Sequence, residues 1–498
     1  MDIEQFRKAG YQAIDRICDH FYSLRNKPVQ ASVEPGYLRA LIPDAAPQTG
    51  EEFENIADDY QKLIVPGLTH WTHPSFFAYF PTACTFEGIL GDLYSSSVAN
   101  PGFNWTASPA CTELEVIVLD WAAKLLGLSP AFYNASGVGG GCIQVTASDS
   151  ALIATVAARS AYQRDHPDAR MEDLVLYTTT QTHSLGAKAA LVLGLQCKML
   201  PVTKEDRFSL RGETLRTHLD EDIKAGKRPF LLIATVGTTS SGAIDNMPEI
   251  RQVAKEYPTL RVHVDAAWAG VVLSCPEHRE TCFLDDINEF ADSICVNFHK
   301  WGLVNFDAST LWVRDRKYLT EALDITPIFL RTAQSTAGTV IDYRNWHLSL
   351  GRRFRSLKFW FVLRSYGVEG FQRYIRQGIE QNQIFVKLVE NSSVLELVTP
   401  PSFALSVFRI APRPEGKPLT LEAINSLNRF FFGRISARND IYLTQTMLND
   451  VYCIRLAVGS MLTTAEDIQG AFDIIKKEAE LALENWKIPD TLAAGGSV

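Results

Sequence analysis

From about residue 110 to residue 313 the chain alternates between helix-like stretches and short β-rich runs, a pattern that few architectures accommodate. CTELEVIVLDWAAKLLGL and SALIATVAARSAYQ read as helices, and LVLYTT, PFLLIATV, RVHVDAAW, DSICVNF and ASTLWV read as strands. Short apolar strands separated by helices predict an α/β fold with a large, mostly parallel sheet covered on both faces. After Gly351 a basic stretch, GRRFRSLKFWFVLRSYG, leads into helices and two further strands, FALSVFRI and VYCIRLAV. Before the alternation, prolines repeatedly interrupt the periodicity. The expected organisation is therefore a helical arm over 1–85, a large domain over 86–357 and a small α/β domain over 358–498. KIPDTLAAGGSV at the C-terminus reads as a frayed tail.

Composition then excludes several classes of function. With 48 Lys+Arg against 57 Asp+Glu the chain carries a formal charge of −9, so neither nucleic acid nor an anionic membrane surface is an expected partner. The nine cysteines are scattered, without CxxC or metal-ligand spacing, and read as reduced thiols; no metal is expected. The N-terminal segment is an amphipathic helix carrying Asp2 and Glu4 rather than a basic leader, and no stretch has the apolar length of a membrane span. A cytoplasmic location is expected.

Four segments carry candidate chemistry. In SICVNFHKWG a strand ends in Asn297, Phe298, His299 and Lys300. Parallel sheets place ligands at that end of a strand, and a desolvated lysine there can form an imine with an aldehyde. In RVHVDAAWAG, Asp265 ends another strand, and the small residues Ala266, Ala267 and Gly270 leave room for a flat ring whose protonated nitrogen the carboxylate can pair with. The glycines Gly137, Gly139, Gly140 and Gly141 allow close backbone approach, and Thr146, Ala147 and Ser148 precede a helix whose free N–H groups suit a phosphate. His183, in YTTTQTHSLG, can lie against a ring. Each also has an ordinary reading: a solvated lysine, a capping aspartate, a helix N-cap, a structural histidine.

Taken in order, these segments resemble fold-type I pyridoxal-phosphate enzymes. HPSFFAYFPTA, SPACTELE, GGGCIQVTASDSAL, QTHSLGAKA, ATVGTTSSGAIDN, HVDAAWAG, NFHKWGLVNFDAS and DYRNWHLSLGRRFRSLKFWFVLRSYGVEG narrow the resemblance to the aromatic L-amino-acid decarboxylase family, the group II decarboxylases, over roughly residues 70 to 370. The resemblance implies pyridoxal 5′-phosphate as cofactor and an aromatic amino acid as substrate. It also implies a homodimer with active sites at the subunit interface, the arm wrapping the partner. The arm's aromatic residues Trp71, Phe76, Phe77, Tyr79 and Phe80, with little local helix to cover them, fit that expectation.

By the same resemblance Lys300 is the lysine that bonds the cofactor, Asp265 the partner of the ring nitrogen, His183 the ring-stacking histidine and Ala267 the small residue under the other face. Thr146, Ala147, Ser148, Asn297 and His299 match the phosphate side, and Thr239 a cofactor-site threonine. Tyr79, Phe80, Pro81 and Thr82, with Phe103, match the substrate pocket. Gly351 leaves space where relatives restricted to phenolic substrates often carry Ser. One position departs from the pattern. Typical members carry a catalytic tyrosine in a Pro-x-Tyr-Leu-Lys/Arg loop, whereas here the stretch is Pro327, Ile328, Phe329, Leu330, Arg331. Phe329 resembles the aromatic acetaldehyde synthases, which decarboxylate and then oxidatively deaminate. The small, polar residues 331–340 fit either a lid or a plain connection.

Overall fold

The computed structural model describes residues 1–411 and 419–488; all of the expected tail beyond Ile488 lies outside the described residues. The larger sheet contains β1 (Gly140–Gln144), β2 (Leu174–Thr179), β3 (Gln196–Leu200), β4 (Arg228–Thr235), β5 (Arg261–Asp265), β6 (Ser293–Asn297) and β7 (Ser309–Val313), in the order β1-β7-β6-β5-β4-β2-β3. Adjacent strands from β6 to β3 pair in parallel, while β7 is antiparallel to both β6 and β1. β1, β2, β6 and β7 are buried along their whole length, which is why their sequences lack a polar face. The edge strand β3 was not anticipated, because QCKML is largely solvent-facing and carries little β signal.

The glycine-rich run corrects the sequence reading. Gly140 and Gly141 lie inside β1, and their lack of a side chain serves packing rather than a phosphate. A Cβ on Gly139 would meet the Ala131 carbonyl at 1.8 Å, one on Gly140 the Trp346 ring at 2.8 Å, and one on Gly141 the Trp312 ring at 2.6 Å. Gly137 turns the chain in the left-handed region, at φ 76°.

A four-stranded antiparallel sheet forms the smaller layer, with β8 (Leu395–Leu397), β9 (Leu405–Ile410), β10 (Thr444–Leu448) and β11 (Val451–Ala457) in the order β10-β11-β9-β8. Helix Ser356–Glu390 bends where Gly367 adopts φ 60°, and packs against both helix Pro109–Leu126 and helix Ala465–Asn485. It thereby joins the two layers.

The arm differs from expectation in where its rings go. Phe76 and Phe77 are fully buried and Phe80 nearly so, all within the one chain. Phe77 N–H donates to the Tyr442 carbonyl at 2.9 Å, and Ala457 N–H to the Phe77 carbonyl at 3.1 Å, so this part of the aromatic stretch is threaded along the small sheet, while Trp71 and Tyr79 stay exposed. Helix Ile3–Ser23 is the opposite case: it is capped by an Asp2/Gln5 box, yet none of its residues is buried and Phe6, Tyr11 and Tyr22 are exposed.

Candidate active site

Parallel pairing aligns the ends of β4, β5 and β6, with Thr235 opposite Asp265 and Asp265 opposite Cys295. Loops leaving these ends are cross-braced: Val236 N–H donates to the Asp265 carbonyl, Ala266 N–H to the Cys295 carbonyl and Asn297 N–H to the Ala267 carbonyl, at 2.9 to 3.0 Å. The result is a cavity of about 200 Å³ lined by Thr146, Ala147, Ser148, His183, Thr239, Asp265, Ala267, Asn297, His299 and Lys300. All ten cofactor-side candidates from the sequence therefore converge on one cavity. Leu185, Thr235, Gly237 and Trp268 complete its wall.

The helix side of the cavity is set by Thr146. Its hydroxyl accepts from Asp149 N–H at 3.3 Å while Asp149 Oδ2 accepts from Thr146 N–H at 3.0 Å, a reciprocal cap on helix Ala147–Asp165. The cap leaves the first-turn N–H groups of Ala147 and Ser148 without an intrahelical acceptor, aimed where a phosphate is favoured.

Across the cavity, Asp265 Oδ1 accepts from Ala267 N–H at 3.0 Å, and no hydrogen bond occupies Oδ2 among the described residues. Lys300 follows β6, and burial lowers its amine below the usual lysine value; Asp265 and Cys295 oppose the shift, and Arg455 adds to it. His299 Nδ1 accepts from Ala308 N–H at 2.8 Å, and burial, reinforced by Lys300, pushes the imidazole down to about 3, so it is neutral with its proton on Nε2. His183 is exposed at the cavity mouth, and desolvation by its surroundings lowers it as well.

These groups fit pyridoxal phosphate. The site offers an amine for an aldehyde, a carboxylate oxygen for a ring nitrogen, free helix N–H groups for a phosphate and the small Ala267 where a ring must pass. Two buried lining atoms, Thr235 Oγ1 and Asn297 Oδ1, also lack any partner, a cost that a polar ligand relieves.

The substrate-side candidates are dispersed. Phe80 stacks on Trp268 at 4.5 Å, and Lys300 Nζ lies 5.4 Å from its ring centroid. Tyr79 turns away, stacked on Trp71 and with its hydroxyl 3.0 Å from that of Tyr442. Pro81 packs under Gly459, and Thr82 is half-buried outside the lining. Arg344 N–H donates to the Phe103 carbonyl at 2.9 Å and Arg352 N–H to that of Pro101 at 2.6 Å, which gathers Phe103 and the exposed Gly351 into one neighbourhood outside the cavity lining. A buried bidentate pair, Arg352 to Glu115 at 2.8 and 2.6 Å, anchors that neighbourhood. Phe329 sits on a helical turn, Ile328–Leu330, with 77% of its surface exposed. Sequence reasoning missed Trp268, which adjoins the DAA motif and was legible there, and Arg455, which carried no local signal.

Comparison with known proteins agrees with this geometry. The pyridoxal-dependent decarboxylase conserved domain matches residues 35–411. Tryptophan decarboxylase 2 of Oryza sativa subsp. japonica is 40% identical over 490 residues, 97% of this chain and 96% of the relative. Phenylacetaldehyde synthase of Arabidopsis thaliana is 41% identical over 486 residues, 97% of each. The crystal structure of Oryza sativa TDC with PLP and tryptamine superposes with a TM-score of 0.93 at 36% identity, covering 97% of this chain and 99% of that one. A lysine and an aspartate on adjacent strand ends, a free helix N-terminus between the same walls and near-complete coverage by these relatives lead to one conclusion: the chain belongs to the pyridoxal-dependent decarboxylase family.

Proposed function

We propose that the chain decarboxylates an aromatic L-amino acid to the arylalkylamine with the cofactor held by the residues above. The observation that carries the reading is the convergence of Lys300 and Asp265 on one cavity beside the free end of helix Ala147–Asp165. In this reading Lys300 Nζ would bond the cofactor aldehyde and the Asp265 carboxylate would pair with its ring nitrogen. Ala267 and His183 take the ring faces, and Thr146, Ala147, Ser148, Thr239, Asn297 and His299 take the phosphate side. Phe80 and its neighbours wall the substrate, with Tyr79, Pro81, Thr82, Phe103 and Gly351 as further pocket residues. When bound, pyridoxal phosphate supplies an electron sink for the pair released as the Cα–carboxylate bond breaks. The chain contributes position and charge: Asp265 would hold a proton on the ring nitrogen, and burial lowers the Lys300 amine, which favours its nucleophilic form.

Phe329 favours a second reading. A phenyl ring has no proton to return to Cα, so with Phe329 in place of a hydroxyl-bearing side chain the electron pair released by decarboxylation would be available to O2. The balanced outcome is amino acid plus O2 and water giving arylacetaldehyde, CO2, ammonia and hydrogen peroxide. Product analysis with tryptophan, tyrosine, phenylalanine and dopa, under air and under nitrogen, separates the two readings. Amine without oxygen uptake supports the first, and aldehyde with matching peroxide the second. No CO2 from any of the four defeats both.

The reading includes a homodimer with shared sites. Its support is that Ile325, Ile328 and Phe329 are all exposed and that helix Ile3–Ser23, although it touches its own chain through Arg16 and Phe21, leaves Phe6, Tyr11 and Tyr22 exposed. The three-part organisation of arm, cofactor domain and small domain is retained. A cytoplasmic setting is supported by the nine cysteines all being free; among the described residues no helix is long and apolar enough to cross a membrane.

A further inference from the structure

Arg455 is a buried charge that the roles above do not use. It lies in β11 with only 3% of its surface exposed, no carboxylate pairs with it among the described residues, and its Nε has no hydrogen-bond partner. Buried guanidinium groups are normally paired, because an uncompensated charge in a low-dielectric interior is costly. What Arg455 does contact is specific. Nη2 donates to the Tyr79 carbonyl at 3.0 Å and Nη1 to Thr444 Oγ1 at 3.3 Å, while Thr444 Oγ1 in turn accepts from Tyr79 N–H at 3.2 Å. Both ends of the Tyr79 backbone are thus tied to β10 and β11, and Tyr79 sits in the left-handed region at φ 52°, which a residue other than glycine keeps only when held. Next along the chain, the Phe80 ring has the Arg455 guanidinium 4.7 Å from its centroid and Lys300 Nζ 5.4 Å from it.

We propose that Arg455 is a positioning residue of the active site: it clamps the Tyr79–Phe80 turn onto the small sheet, holds the Phe80 ring beside Lys300, and supplies an uncompensated positive charge near that amine. The proposal rests on the cofactor reading above, because it gives the charge and the ring a purpose only if Lys300 is the reactive amine. Burial lowers Arg455 itself to about 10, which leaves it cationic at neutral pH. Around Lys300 the charged and titratable neighbours are Asp265 and Cys295, which favour its protonated form, Arg455, which disfavours it, and the histidines His183 and His299, both held down by desolvation. Removing the positive charge therefore tips Lys300 toward protonation.

The test uses the full-length protein freed of cofactor, and follows the visible absorbance that develops when pyridoxal phosphate is added, as a function of pH. Arg455→Met should move the pH midpoint of that binding rate upward by about one unit, a roughly tenfold slower uptake at neutral pH. Arg455→Lys keeps the charge and loses the two-pronged clamp, so the midpoint should stay while KM for the amino acid rises about fivefold or more. An unmoved midpoint in a natively folded Arg455→Met protein overturns the proposal. If that variant does not fold, Arg455→Lys decides alone, and an unchanged KM overturns the clamp. A wild-type protein that develops no absorbance defeats the underlying cofactor reading instead, which is a different result from normal binding with an unmoved midpoint.

Discussion

Around Lys300 several groups are fixed from within the same chain: strand register sets Asp265, a helix cap sets Ala147 and Ser148, and a backbone N–H sets His299. Around Phe329 almost nothing is. Ile325, Ile328 and Phe329 stand in solvent on a short turn, and only Leu330 beside them is buried. The contrast separates what one chain builds alone, a cavity that fits a cofactor, from the side chain on which the second proposed reading depends, which one chain leaves outside its own cavity.

The largest test of that contrast is Lys300→Ala. It should abolish turnover by three orders of magnitude or more and remove the cofactor's lysine-linked visible absorbance, with the thermal midpoint little changed; a coloured, active variant would break the assignment. Next, Asp265→Asn should retain cofactor but lose several kcal/mol of barrier lowering, roughly a hundredfold to thousandfold in kcat. Near-normal kcat would show that the carboxylate is only a brace for Ala267. The rigid region should also carry a pH signature that the loop lacks. His263 is fully buried and pushed down to about 4, and His299 to about 3, by desolvation. Because their folded pKa values lie below the unfolded value, the stability they contribute is complete above about pH 6.5 and is lost as pH falls. Chemical denaturation should therefore show a loss of about 1.4 kcal/mol per pH unit for each histidine as pH drops from 6.5 toward 4. His263→Gln should flatten that slope, and an unaltered slope would assign the effect elsewhere. The smallest energetic effect belongs to Phe329→Tyr, which should change stability by less than about 0.5 kcal/mol because the side chain is exposed. It should nonetheless move product from aldehyde toward amine, measured as oxygen uptake per CO2 released. Unchanged partition would leave the loop without a role in the outcome.

What the sequence made legible follows from where signals are local. Lys300, Asp265 and Thr146 each sit at a strand end or helix start, where a few neighbouring residues state the geometry, and all three line the cavity. The glycines before Thr146 mislead because the need to pass Trp312 and Trp346 leaves the same sequence mark as the need to approach a phosphate. The cover over Phe76, Phe77 and Phe80 is not legible in the sequence because the strands that supply it lie hundreds of residues away, and Arg455 is invisible for the same reason: a lone arginine in VYCIRLAV shows nothing of a contact with Tyr79.

The threading of Phe76 to Phe80 along β11 also fixes an order of events during synthesis. All seven strands of the large sheet have been made once Val313 leaves the ribosome, so the lysine and aspartate can be in place early. The wall beside them cannot, since the Tyr79 carbonyl waits for Arg455, 376 residues later. Contacts of such sequence separation form late and slowly, because the chain between them must be ordered first. A chain stopped before β10 would therefore carry Lys300 and Asp265 with the Tyr79–Phe80 turn still unheld, and with Phe76 and Phe77 uncovered and prone to aggregate.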